Sequence, residues 1–121
     1  MNRERSIEID RRTDVRYVAR IKIAWETVAG KQSGMISDIS ETGCFVLCSG
    51  TVEDGAKVNL YLPAKQKRIV TLRGEVTNHV YEIGYAVRFV EIGDTERLFL
   101  ERLISQLKQT SHPSNEGKTE N

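Results

Sequence analysis

The feature that most constrains this chain is a period of two, which recurs from residue 18 to residue 92 and then stops. Ala19, Ile21, Ile23 and Trp25 alternate with Arg20, Lys22 and Ala24. Such a repeat sends successive side chains to opposite faces, which predicts a strand with one buried side. Shorter strands are predicted over 33–38 and 44–48. Val58, Leu60 and Leu62 alternate up to Pro63, which ends its strand because proline has no N–H to give. A longer run places Val70, Leu72, Gly74, Val76 and Val80 on one parity, with Gly74 marking a bulge or a bend. In the last run Ile83, Tyr85, Val87 and Phe89 oppose Gly84, Ala86 and Arg88. Turn residues gather at 29–32, 40–43 and 53–55. Six strands with no helix between them predict an all-β antiparallel barrel or sandwich.

After Asp94, a plausible N-cap, the period lengthens. Phe99, Leu100, Leu103, Ile104 and Leu107 gather on one helical face, which predicts a helix over 95–108 packed on the sheet. Leu98 falls on the opposite side. Residues 1–10 read as a flexible polar arm. Residues 109–121 hold no large apolar side chain and read as disordered. That leaves one domain, 11–108, in a chain of 121 residues. No apolar run approaches the roughly 18 residues of a spanning helix, and no apolar stretch follows the N-terminal charges. Neither membrane insertion nor a secretory signal is expected. Cys44 and Cys48 would stand about 13 Å apart on a strand at ~3.3 Å per residue, too far for a disulfide, whose Cα atoms lie within about 7 Å. Two free thiols suit a reducing, cytoplasmic setting. His79 and His112 have no ligand spacing around them, so no metal is expected.

Charge narrows the function. Eighteen basic and 17 acidic residues leave a net +1, which argues against a broad basic footprint for polymeric nucleic acid. The distribution is uneven. Arg3, Arg5, Arg11, Arg12, Arg16 and Arg20 lie in the first 20 residues, where there is no lysine. Arginine's planar fork matches phosphate oxygens and the guanine edge bidentately. The interleaved Glu4, Glu8, Asp10 and Asp14 also allow a plain solvated tail. Arg12 and Arg16, four apart, share one side of a strand or helical turn. Asp38-Ile39-Ser40-Glu41-Thr42-Gly43 has the form DxSxxG at a strand end. Asp38 and Ser40 would share one strand face, where a carboxylate can accept from the N1–H and N2–H₂ of guanine beside a hydroxyl. Gly43 would provide a positive φ, or a close backbone approach to a ligand. Each motif alone is common, RxxxR in charged segments and DxSxxG in turns. Their order and the strand pattern behind them are more specific.

With Arg11 in front of RxxxR, the sequence resembles the PilZ domain family, bacterial receptors for cyclic di-GMP. The likeness covers about residues 10 to 107. It rests on RRxxxR at 11–16, DxSxxG at 38–43, the strand carrying Gly55, Val58, Leu60 and Leu62, and the strand carrying Ile83, Gly84, Val87 and Phe89. The resemblance implies a six-stranded antiparallel β-barrel with a C-terminal helix. It implies that Arg12 and Arg16 bind phosphate and guanine, and that Asp38, Ser40 and Gly43 line the guanine site. Arg11 would favour a stacked nucleotide dimer. The expected mechanism is non-catalytic: cyclic di-GMP orders the arm on the barrel, and the new surface meets a partner protein not named by the sequence. No cofactor is implied.

Other classes fit less well. A barrel acting only through protein contacts, without nucleotide, would use its helix or an edge, and Leu98 is its sequence support. Aromatics at 7% offer no stacking platform for single-stranded nucleic acid. No nucleophile stands beside a base, so no enzyme is expected.

Overall fold

The computed structural model describes residues 14–115, with side chains described to residue 110. Arg11, Arg12, the arm at 1–10 and the last residues of the tail lie outside the described residues. Six strands form: β1 Tyr17–Thr27, β2 Gly30–Ile39, β3 Gly43–Leu47, β4 Lys57–Pro63, β5 Ile69–Val80 and β6 Gly84–Phe89. Every pairing is antiparallel, and the order β1-β2-β3-β6-β5-β4 closes on itself as a barrel. The alternative of two packed sheets is thereby excluded. Closure removes sheet edges, which would otherwise invite pairing with other chains.

The closing seam is short. β1 meets β4 only from Ala24↔Tyr61 to Glu26↔Asn59. The earlier half of β1 runs free of β4, and the helix α1, Asp94–Asn115, packs against β1 and β5. Its Leu100 is fully buried with the barrel's apolar cluster. Burying one leucine contributes about 1.5–3 kcal/mol, so the helix completes the core rather than decorating it. Inside, Trp25 and Tyr85 meet edge to face, with ring centroids 5.1 Å apart, and the Trp25 Nε1–H donates to the Ser33 carbonyl at 3.2 Å.

The expected strand parities hold through most of the barrel; Ile83, expected on the buried parity, is exposed in the turn before β6, and there are four further exceptions in turns, bulges and the helix end. The first hairpin turns through Val28-Ala29, at 27–30 rather than the predicted 29–32, because Gly30 already pairs with Thr27. Gly74 is not a bulge. It stays in register with Val58, and the irregularity lies between Val76 and Asn78. A Cβ at Gly74 would stand 2.2 Å from Val87 Cγ1, so the glycine makes room for a core side chain. The helix runs on to Asn115, past the predicted end at 108, since a helical backbone does not need an apolar face in its last turns. The fourth exception shapes the site. β1 carries an extra residue between Val18 and Ile21, where Arg20 takes φ 55°, and β2 carries one between Ile36 and Asp38. Ile36 and Ile39 are therefore both fully buried although three apart, and Asp38 faces outward opposite the exposed Val18.

Candidate functional site

The bulge on β2 turns Asp38 toward the segment that enters β1. Arg16 Nε donates to Asp38 Oδ1 at 2.7 Å, and the two side chains are 43% and 34% exposed. The Ser37 hydroxyl donates to the other carboxylate oxygen at 3.3 Å. Two residues before Arg16, Asp14 Oδ2 accepts from the Thr42 hydroxyl at 2.9 Å. Both sequence motifs thus meet at one place on the outside of the barrel. An ion pair this exposed contributes only about 0–1 kcal/mol, so a ligand bearing phosphate and hydrogen-bonding edges can replace it at small cost.

The turn that carries Asp38 is built by Ser40. Its Oγ accepts from the Thr42 amide at 3.1 Å and the Gly43 amide at 3.2 Å, and the Ser40 amide donates to the Gly43 carbonyl at 2.8 Å. The Phe89 amide donates to the Thr42 carbonyl at 2.8 Å, which ties the turn to β6. Two expectations need correction here. Ser40 does not share a face with Asp38. It is completely buried, and its hydroxyl is spent on its own turn. Gly43 has no positive φ, and it permits a close approach to β6: a Cβ there would stand 2.1 Å from the Val87 carbonyl oxygen. Asp14 and Thr42 were missed from sequence. Both sit at variable positions inside the motifs, 28 residues apart, and no local pattern shows that they pair.

Burial pushes the Cys44 thiol up to about 12; nearby Arg16 opposes this and Asp38 adds to it. Cys44 therefore stays protonated beneath the site and offers no thiolate. Cys48 is also free, and its thiol is raised, chiefly by burial. The Tyr85 hydroxyl and His79 Nε2 are buried without a partner, and both lie outside the motif cluster. No group of metal-ligating side chains occurs among the described residues. At the cluster stand the Arg16 guanidinium and the carboxylates of Asp38 and Asp14, groups that can exchange hydrogen bonds with a polar ligand.

The family model described as PilZ domain matches residues 10–106. The chain belongs to the PilZ domain family. Among solved structures, this PilZ domain is similar to the PilZ domain with c-di-GMP of YcgR from Escherichia coli, with TM-score 0.69 and 13% identity over 84% of this chain and 95% of that one. It is similar to the PilZ domain of CeSA from a cellulose-synthesizing bacterium, with TM-score 0.63 and 16% identity over 78% and 98% of the two chains. It also matches the Bacillus subtilis inhibitor of motility MotI/DgrA, with TM-score 0.66 and 17% identity over 85% of this chain but 52% of that one. At such identities the likeness establishes the barrel. No curated protein sequence matches the chain.

Proposed function

We propose that this PilZ domain is a non-catalytic receptor for cyclic di-GMP that signals to a partner protein. The observation that carries the reading is the contact of Arg16 with Asp38 at 2.7 Å, which joins the arginine motif to the DxSxxG turn. Two proteins similar in fold, YcgR from Escherichia coli and MrkH from K. pneumonia, are described in complex with c-di-GMP. Asp14 is held to the turn by Thr42. Arg12 and Arg11 precede Asp14 by two and three residues in the sequence. Arg11, Arg12 and Arg16 then supply the donors that a twice-charged dinucleotide needs.

Asp38 accepts from a guanine edge in this reading, and Arg16 exchanges the carboxylate for phosphate or guanine. Ser40 and Gly43 act indirectly, by fixing the turn that aims Asp38. Ligand orders the arm on the barrel, an order–disorder switch that remakes the surface around β1 and β2. A titration of the isotope-labelled chain with cyclic di-GMP, followed by amide NMR, tests the placement. The largest shifts are expected at residues 14–17 and 38–43. Saturable binding with shifts confined to α1 or to the far side of the barrel would refute the site.

A further inference from the structure

The wall between α1 and the β4–β5 connection holds a groove of about 700 Å³ that touches no residue of the nucleotide site. Its floor is apolar, with Leu62, Val70, Phe99 and Leu103. Leu98 and Ile69 stand on its edges, 47% and 60% exposed. Leu98 therefore does not face away from the packed side of the helix as the sequence predicted. It extends the apolar stripe into the groove. Every charged side chain lining the groove is basic: Lys65, Arg68 and Arg102.

The connection itself is strained. Arg68 N–H donates to the Lys65 carbonyl at 3.2 Å across Gln66 and Lys67, which both take φ 61°. Two central residues at positive φ make a turn that asparagine and glycine fill without strain. The chain instead carries Gln66-Lys67 there and bears the strain, and the flanking Lys65 and Arg68 line the groove.

We propose that this groove docks an acidic amphipathic helix of a partner protein, with apolar side chains on the floor and carboxylates against Lys65, Arg68 and Arg102. Charge complementarity selects this occupant. The chain's own N-terminal arm brings four arginines against three acids before Asp14, and a basic rim disfavours it. The concave shape suits an inserted helix rather than a flat anionic bilayer. Along α1 the groove runs from Thr95 to Gln106, about 17 Å at 1.5 Å per residue, which matches about three turns of a docked helix.

The test uses the full chain and a synthetic helical peptide with leucines at i, i+3, i+4 and i+7 and glutamates elsewhere. Calorimetry should show saturable binding, with amide shifts at residues 62–70 and 95–106. The double variant Arg68→Glu and Arg102→Glu should bind at least tenfold more weakly, and should gain affinity for the same peptide with lysine in place of glutamate. Cyclic di-GMP binding by that variant should match the parent, so the groove and the nucleotide reading stand or fall separately. Equal affinity for the acidic and basic peptides would overturn the proposal. So would shifts outside the groove, or tighter, equally charge-dependent binding to phosphatidylglycerol vesicles than to the peptide.

Discussion

Ser40 and Asp38 belong to one motif and do different work. Ser40→Ala leaves the Thr42 and Gly43 amides without their acceptor inside the protein. A buried polar group left unpaired costs about 1–3 kcal/mol, so urea unfolding should show a loss of that size. Gly43→Ala should lose at least as much, because its Cβ would meet backbone that cannot swing aside. Asp38→Asn keeps the shape of a half-buried side chain and should change stability by no more than about 1 kcal/mol, the most its ion pair with Arg16 contributes, while weakening cyclic di-GMP binding. A Ser40→Ala variant with parental stability and reduced ligand affinity would show that the hydroxyl contacts nucleotide directly. From sequence, Asp, Ser and Gly were visible as a set, yet their division of labour was not. The turn's hydrogen bonds join residues two and three apart, while the contact that demands glycine comes from Val87, far along the chain.

At the scale of elements, alternation in β1, β4, β5 and β6 was readable because each strand buries one face. The paired bulges in β1 and β2 were not. They depend on how two strands register against each other, and Arg20 and Ser37 carry no local sign of them. The connection between β4 and β5 supports a direct prediction. Replacing Gln66-Lys67 by Asn-Gly should stabilise the chain by about 1–3 kcal/mol, by relieving two left-handed residues; thermal unfolding measures it. The β3–β6 side of the core sets a pH response. Burial, first of all, holds the Cys44 thiol and the Tyr85 hydroxyl in their protonated forms, above ordinary values of 9.0 and 10.0. A raised folded pKa contributes its full stability below the unfolded value and loses it as pH climbs. Stability should therefore fall above about pH 9 and go on falling toward pH 12, and Cys44→Ala should flatten the first part of that fall. A profile identical in the parent and in Cys44→Ala would deny the thiol this role.

For the whole molecule, a net charge of +1 argues against one class of ligand and leaves another open. Polymeric nucleic acid asks for a broad basic surface. A dinucleotide asks for a few arginines beside one carboxylate, which a balanced chain can provide locally. The closed barrel supplies a rigid wall, the bulged end of β2 aims Asp38, and Asp14 with Thr42 fixes where the arm begins. No helix among the described residues is long and apolar enough to cross a membrane. The domain matches nearly all of the isolated YcgR PilZ domain and about half of MotI/DgrA. The arginine motif and DxSxxG were legible because each is short and contiguous. The groove beside α1 was hidden because its walls come from three separate elements. Calorimetric titration of the intact chain with cyclic di-GMP, alongside Arg12→Ala and Arg16→Ala, tests the central claim most directly. Saturable binding is predicted, with each variant weaker by about ten- to hundredfold, the roughly 1–3 kcal/mol of a bidentate arginine. No heat of binding at high micromolar ligand, or equal affinity in all three proteins, would contradict it.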